Sequence, residues 1–364
     1  MRCIFPTYNT IITHFTEEWK SMAKNILNIV VIGCSGMAKL HMEGVVKNEN
    51  ACLYGICDIA PERLEPFKEH FPNCKRYVTD YRDFVNDPEV DAVVIVTPDQ
   101  VHLEQTAAFL RAGKAVLCEK PMALNMEECQ EMMRVEKETN GKLMVGQICR
   151  HTPGFIAAKK LVDEGKIGEL VFVESEYAHN YNDARGYNDW RVVPERHGFI
   201  GGGCHAVDLL RWIAGDPTEV YALANHKIML DWPTDDTVIS LYKFPNGVSG
   251  KVFVSIGAKR DYTMRSVFYG TKGTIICDNT SPEITLYSEF NENGDFHQGV
   301  KIPVDINNHN ATAEIEAFVN ALVNGKAMPV SSSEGAYTVA ACCAAVESSK
   351  CGKPVDIVYP VAER

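Results

Sequence analysis

No C-x-x-C pair occurs in the sequence, although it holds 13 cysteines. The count is odd, only Cys342 and Cys343 are adjacent, and Cys52, Cys57, Cys118 and Cys149 sit inside apolar segments. That scatter argues against a disulfide framework or a structural zinc site, and for free buried thiols in a reducing, cytoplasmic setting. No metal is expected. Basic charge is also short. The net charge is −12 and the pI about 5.4, which speaks against nucleic acid or an anionic membrane surface as partner. No apolar run approaches the roughly 20 residues a membrane-spanning helix needs. Internal repeats and low-complexity tracts are absent too, and 364 residues are enough for two domains with separate cores. Residues 1–20 have no uninterrupted apolar stretch and no small-residue cleavage site, so they do not read as a signal peptide. Residues 1–24 are taken as an N-terminal extension that packs on the rest, with Met22-Ala23-Lys24 resembling a start directly before the first strand.

What is present begins with Asn28-Ile29-Val30-Val31-Ile32, an apolar run rich in β-branched residues, the pattern of a buried parallel strand. Gly33 stops it, Gly36 follows, and Met37, Leu40, Val45 and Val46 suit a helix with one apolar side. Strand, glycine turn and helix together open a dinucleotide-binding unit, whose pyrophosphate rests on the free N–H groups of the helix N-terminus. In the fingerprint G-x-G-x-x-G/A, Ser35 replaces the middle glycine and Ala38 the last. Ala38 is tolerated; Ser35 adds a hydroxyl where close approach is wanted, but one able to donate to a phosphate oxygen. Gly33, Ser35, Gly36, Met37 and Ala38 are the expected cofactor contacts here, with a tight turn of any α/β domain as the alternative. A second strand, Ala51 to Asp58, ends in an acid at the ribose-binding distance of about 20 residues. Asp58 there accepts from ribose hydroxyls and repels a 2′-phosphate, favouring NAD over NADP. Nearby Arg63 weakens that distinction, and a helix N-cap before Pro61 is the other reading of Asp58.

Strand and helix signals alternate up to residue 147. Further strands are read over 91–96, 115–118 and 143–145, and helices over 61–70, 80–86, 100–112 and 126–139. This predicts an α/β Rossmann domain over 25–147, a doubly wound parallel sheet with right-handed crossovers. The pattern then changes. A helix over 155–164, a strand over 170–177 and a polar, aromatic-rich loop lead to a helix near 203–215. Strands from 219 to 304 are separated by turns such as Pro245-Asn246-Gly247, Thr271-Lys272-Gly273 and Asn293-Gly294, and two helices finish the chain. Residues 148–364 are expected to form an α/β domain with a large open, mainly antiparallel sheet that binds substrate and builds oligomers.

Ligands of a doubly wound sheet bind beyond the carboxyl ends of its strands. Thr97, Asp99 and Glu119-Lys120 fall on that edge with Gly33 and Asp58. A Lys there can hold a substrate hydroxyl and stabilise developing oxyanion charge, and a cationic ring nearby lowers its pKa. A surface Lys paired with Glu119 fits the spacing equally well. Pro121 is a candidate cis proline. The second constellation is Gly201-Gly202-Gly203-Cys204-His205. The glycines let backbone approach a ligand, and His205, in the first turn of a helix, can take the proton of an alcohol near neutral pH; a His bonded to a neighbour on the helix face is the alternative. Asp208 either orients His205 or favours the helix N-terminus. The loop His179 to Arg191 mixes polar groups with flat rings, which suits a sugar. Tyr181, Asp183, Tyr187, Asp189 and Trp190 are its expected substrate contacts, unless the loop is only a solvated connection.

Taken together, the turn at 33–38, Thr97-Pro98-Asp99 with His102, Glu119-Lys120-Pro121, Gly146 with Arg150, and His205 with Asp208 resemble the glucose–fructose oxidoreductase, inositol dehydrogenase and rhizopine-catabolism (Gfo/Idh/MocA) family of NAD(P)-dependent oxidoreductases, from about residue 25 onward. The resemblance implies a Rossmann domain plus an α/β domain whose open sheet builds homo-oligomers. It implies Lys120 and His205 as catalytic residues, Thr97, Pro98, His102, Glu119 and Lys120 at the cofactor, and Arg150 at the substrate. Three positions depart from the family pattern. Ser35 stands for Gly and Asp99 for Asn, and Gly201 stands where an Asp usually lies four residues before the catalytic His. The proton relay is then His205 with Lys120 alone, or an acid arrives from Asp183, Asp189 or Asp208. The expected activity is NAD-dependent oxidation of a secondary alcohol of a sugar, glycoside or cyclitol, with a lean to a glucosyl C3. An inositol-type dehydrogenase and a non-catalytic dinucleotide-binding regulator are the alternatives.

Overall fold

The computed structural model describes residues 26–288, 299–307 and 309–360; the expected N-terminal extension and the Asn293-Gly294 turn lie outside them. Strands β1 (Leu27–Ile32), β2 (Ala51–Cys57), β3 (Arg76–Val78), β4 (Ala92–Ile95), β5 (Ala115–Glu119) and β6 (Leu143–Gly146) form one sheet in the order 3-2-1-4-5-6. Every neighbouring pair is parallel. The strand order reverses between β1 and β4, so a crevice opens at their carboxyl ends. Strand β3 is not legible in the sequence. Its three residues are only half-buried, too few for any periodicity to show.

Helices α1 (Gly36–Lys47), α2 (Pro61–His70), α3 (His102–Arg111) and α4 (Met126–Thr139) cover the sheet. The buried stripe of α1 is Ala38, His41, Met42 and Val45. Leu40 and Val46, expected on that stripe, are 38% and 58% exposed. The helix is turned so that Gly44 approaches a helix from the end of the chain, where a Cβ would stand 3.2 Å from the Ala311 carbonyl oxygen.

The second half carries α5 (Pro153–Asp163), α6 (Cys204–Ala214), α7 (Ala311–Val323) and α8 (Ser332–Cys351). Its sheet has nine strands: β7 (Leu170–Ala178), β8 (Glu219–Asn225), β9 (Thr237–Lys243), β10 (Ser249–Ser255), β11 (Thr263–Gly270), β12 (Gly273–Asp278), β13 (Glu283–Ser288), β14 (Val300–Pro303) and β15 (Val355–Asp356). The order is 14-13-12-11-7-10-9-8-15, and among these pairs only β7 with β10 is parallel. Strands alternate buried and exposed residues, as β9 does throughout, because one face packs on α6 and α8. The other face leaves Leu223, Ile239 and Leu241 open to solvent.

The two sheets have separate cores, and the end of the chain joins both. Ile315 and Phe318 of α7, with Val330, Ala336 and Val339, pack into the core of the parallel sheet. Ala340 to Ala345 of α8 pack mainly into the other. Each fully buried Ile or Phe contributes about 1.5–3 kcal/mol. The Val145 N–H donates to the Val330 carbonyl at 3.0 Å, which ties the returning chain to β6.

Candidate active site

A cleft of about 910 Å³ runs from the glycine turn after β1 to the first turn of α6. Its floor is the carboxyl edge of the parallel sheet. Gly33 has φ +104°, and a Cβ there would lie 2.5 Å from the Val96 carbonyl oxygen, so only glycine lets β1 and β4 end side by side. Gly36 is different: nothing stands within 4 Å of where its Cβ would be, and that open space faces the cleft. The Ser35 side chain accepts from the Ala38 N–H at 3.2 Å and N-caps α1. The oxygen thus serves the helix end, worth about 1 kcal/mol, while the O–H of Ser35, which lines the cleft, is left to donate. Ala38 is buried under the turn and does not line the cleft, whereas Met37 does.

Asp58 is buried at the end of β2. One carboxylate oxygen accepts from the Cys34 N–H at 2.8 Å, the other from the Ala60 N–H at 3.0 Å. Both readings of Asp58 therefore have a physical basis, since it braces the start of α2 and also lines the cleft. Arg63 lies 3.6 Å from Asp58 and donates to the Cys34 carbonyl at 2.5 Å.

Thr97 and Pro98 follow β4 into the cleft wall. His102, expected at the cofactor, is fully buried behind that wall, its ring nitrogens facing the Pro121 carbonyl at 2.9 Å and the Thr97 carbonyl at 3.2 Å. It ties the Thr97 loop to the Lys120 turn. Two carbonyl acceptors call for two N–H groups. Burial opposes the charge, yet Cys118, Asp99 and the Pro121 carbonyl raise the ring to about 10.

Glu119 and Lys120 end β5, and the Lys120–Pro121 peptide is cis. Glu119 bonds the His41 ring at 2.8 Å and accepts from the Lys120 N–H at 3.0 Å. Burial alone would raise its carboxyl; the His41 and Lys120 bonds overcome that and hold it below the usual carboxylate range. Glu119 is thus occupied with His41, not with the Lys120 ammonium. That ammonium instead donates to the Gly201 carbonyl at 3.3 Å.

His205, 2% exposed, faces Lys120 from α6. Its Nδ1 meets the Cys149 thiol at 3.4 Å, and its ring stacks near Tyr177. Burial, then the Lys120 charge and the rings of His309 and His179, hold it well below its usual pKa. It is neutral near pH 7 and free to accept a proton. Tyr177 joins Tyr181 at 3.0 Å and His179 at 3.1 Å through its hydroxyl, and Tyr262 stacks on His309. These rings line the same end of the cleft. Tyr177, Tyr262 and His309 were not legible as site residues, because they come from β7, the residue before β11 and the segment before α7 and share no local motif.

The expected acids and one expected cation are elsewhere. Asp208 is fully buried and takes a two-point bond from Arg150 at 2.7 and 2.8 Å, plus the Thr338 hydroxyl at 3.0 Å. Arg150 also pairs with Glu334. Neither residue lines the cleft: the pair joins the turn after β6 to α6, and Glu334 and Thr338 tie both to α8. Asp183 and Asp189 are exposed, and Asp189 pairs with Arg185. Of the loop, Tyr181, Tyr187 and Trp190 do line the cleft. Tyr187 does so at the cofactor end: its hydroxyl donates to Glu62 at 2.9 Å and its ring lies under Arg63. The space beside Gly201 is filled by the guanidinium of Arg196, which donates to Asp99 at 2.6 Å. A side chain at 201 would collide with it, so the Gly201 and Asp99 departures are one linked change.

Residues 27–147 match the oxidoreductase family with an NAD-binding Rossmann fold, and residues 155–276 match the GFO/IDH/MocA C-terminal domain. An uncharacterized oxidoreductase of Bacillus subtilis (strain 168) is 30% identical over 260 residues, 69% of this chain and 74% of that protein. Inositol 2-dehydrogenase of Rhizobium meliloti (strain 1021) is 28% identical over 333 residues, 87% of this chain and 95% of that protein. Among solved structures, levoglucosan dehydrogenase in complex with NADH shares the fold with a TM-score of 0.84 at 24% identity, covering 92% of this chain and 100% of that one. Myo-inositol 2-dehydrogenase from Lactobacillus plantarum superposes with a TM-score of 0.79 at 25% identity, covering 91% and 99%. The chain belongs to the Gfo/Idh/MocA family of NAD-binding oxidoreductases.

Proposed function

We propose that the chain oxidises a secondary alcohol of a sugar, glycoside or cyclitol, with NAD as the hydride acceptor. The observation that carries this is the meeting of Lys120 and His205, from different domains, in the cleft that starts at the glycine turn. NAD bound there supplies a ring that takes hydride from carbon. The chain's own groups fit it. The free N–H groups after Ser35 and the open space at Gly36 suit the pyrophosphate, Asp58 suits the ribose, and Thr97, Pro98, Glu119 and Lys120 suit the nicotinamide end.

In this reading the Lys120 ammonium donates to the substrate oxygen and stabilises alkoxide charge as the C–H bond breaks. Neutral His205 takes the hydroxyl proton. No acid arrives from Asp183, Asp189 or Asp208, so the proton rests on His205 itself, whose Nδ1 meets the Cys149 thiol. A cleft lined by Tyr181 and Trp190 admits a glycoside, with the glucosyl C3 hydroxyl as the favoured target. Relatives named inositol 2-dehydrogenase support the inositol-type alternative. The chain acts in the cytoplasm, where its free cysteines stay reduced. It assembles as a homo-oligomer through the Leu223, Ile239 and Leu241 face.

A panel of glycosides and myo-inositol, followed by absorbance of reduced nicotinamide, tests the reading. Turnover with at least one glycoside is expected, and Lys120→Ala and His205→Ala each lower it by about 10²–10⁴ while NADH still binds. Tight NADH binding with no turnover on any polyol would establish the regulator instead.

A further inference from the structure

We propose that the substrate carries a carboxylate, held at the inner end of the cleft by Arg191 and Arg196. The inference deepens the sugar-oxidising reading and rests on it. Three cations line that end, Lys120, Arg191 and Arg196, against two acids, Asp99 and Glu119. Arg196 is 2% exposed; its Nε is bonded to Asp99, but its Nη1, itself shut off from solvent, has no hydrogen-bond partner among the described residues. Arg191 donates to the Ala184 carbonyl at 2.9 Å and, among the described residues, has no carboxylate partner. Lys120 is in the same position, its ammonium on the Gly201 carbonyl. The acids of the cleft other than Asp99 are engaged: Asp58 with backbone N–H groups and Arg63, Glu119 with His41, Asp80 and Glu104 with Arg82.

Arg196 has Asp99 as its one counter-charge and half-buried Arg191 has none among the described residues, so the pair carries an excess positive charge that an anionic ligand would balance. Both guanidinium carbons lie close to the Trp190 ring, 4.2 Å and 4.9 Å from its centre. Contact with the ring restrains the two side chains, and a guanidinium presents an N–H edge that a planar acceptor can meet. A carboxylate matches that edge with two parallel bonds. A sugar hydroxyl can accept one such bond but brings no charge. A phosphate dianion would bring more charge than the spare donors suit. A uronic acid or its glycoside fits: hydroxyls for Lys120 and His205, and a carboxylate for the two arginines. Burial, with Arg196 close by, pulls the Arg191 guanidinium below its usual pKa, a repulsion that an anion between them relieves.

Affinity separates this claim from turnover. The NADH-bound protein is titrated, by tryptophan fluorescence, with methyl glucuronoside, methyl glucoside and glucose 6-phosphate. The glucuronoside is expected to bind at least roughly tenfold more tightly than the glucoside, and Arg191→Gln to cut that ratio below threefold. Equal binding of the two glycosides, no binding of the glucuronoside at millimolar concentration, tighter binding of the sugar phosphate, or a ratio that Arg191→Gln leaves unmoved would each overturn the proposal. Carboxylate preference without oxidation of either glycoside would instead count against the dehydrogenase reading.

Discussion

The Lys120 ammonium reaches across to the Gly201 carbonyl, 3.3 Å away and 81 positions later in the chain. That bond spans the two domains at the point where the reacting carbon is expected. It also explains why the family Asp has no room here: Lys120 holds residue 201 on one side and Arg196 fills the other.

The two glycines of the turn are expected to fail differently. Gly33→Ala meets the Val96 carbonyl oxygen and a positive φ, so it lowers stability by about 2 kcal/mol or more, read as a fall in urea midpoint. At Gly36 an added Cβ has no atom of the described residues within 4 Å, so Gly36→Val is expected to keep the midpoint within about 0.5 kcal/mol while the KM for NAD rises at least tenfold. A Gly36→Val protein with normal NAD affinity would remove the pyrophosphate from this turn.

Asp58→Ala is expected to weaken NAD and improve NADP, because Arg63, 3.6 Å from the carboxylate, is then free to meet a 2′-phosphate. The ratio of kcat/KM for the two cofactors should fall by at least about tenfold. An unchanged ratio would restrict Asp58 to bracing α2.

The Arg150–Asp208 pair is assigned to stability, not chemistry. Asp208→Ala leaves Arg150 short of a buried partner and is expected to cost about 3–5 kcal/mol in urea unfolding. Under conditions where the variant is folded, turnover per molecule should stay within a few-fold of the parent. A collapse of kcat with normal stability would return Asp208 to the relay.

Stability is expected to fall as pH drops from about 6.5 toward 4. Burial holds His151, His197 and His309 down to about 4, against about 6.5 when unfolded. Between those values the unfolded chain binds more protons, so each ring lowers stability by up to about 1.4 kcal/mol per pH unit. Urea midpoints from pH 7.5 to 4.5 read the slope, and His197→Asn should reduce it. An unchanged slope would mean that His197 stays charged on folding.

Much of the parallel sheet was legible because β1, β4 and β5 are uninterrupted apolar runs, and because Gly33 and Asp58 mark the ends of β1 and β2. The Gly33 turn, Lys120 and His205 were legible for the same reason: each sits at the end of an element whose period is plain. The ring cluster was not. Tyr177 is on an alternating strand where a Tyr reads as ordinary core, and His309 lies in an irregular stretch before α7. Asp208 and Arg150 looked functional because charge near a catalytic His suggests chemistry. Only tertiary packing reveals that they face α8. Asp183 and Asp189 shared a loop with Trp190, but sequence proximity does not say which side chains turn inward.

The return of the chain's end to β6 sets a condition on biogenesis. With Val330, Ala336 and Val339 absent, an isolated segment ending at 147 would present the Met144 and Val145 edge of its sheet bare to water. The nucleotide-binding half is therefore not a freestanding module. It completes itself only once the final helix has left the ribosome, so a premature stop near residue 330 would forfeit both halves together.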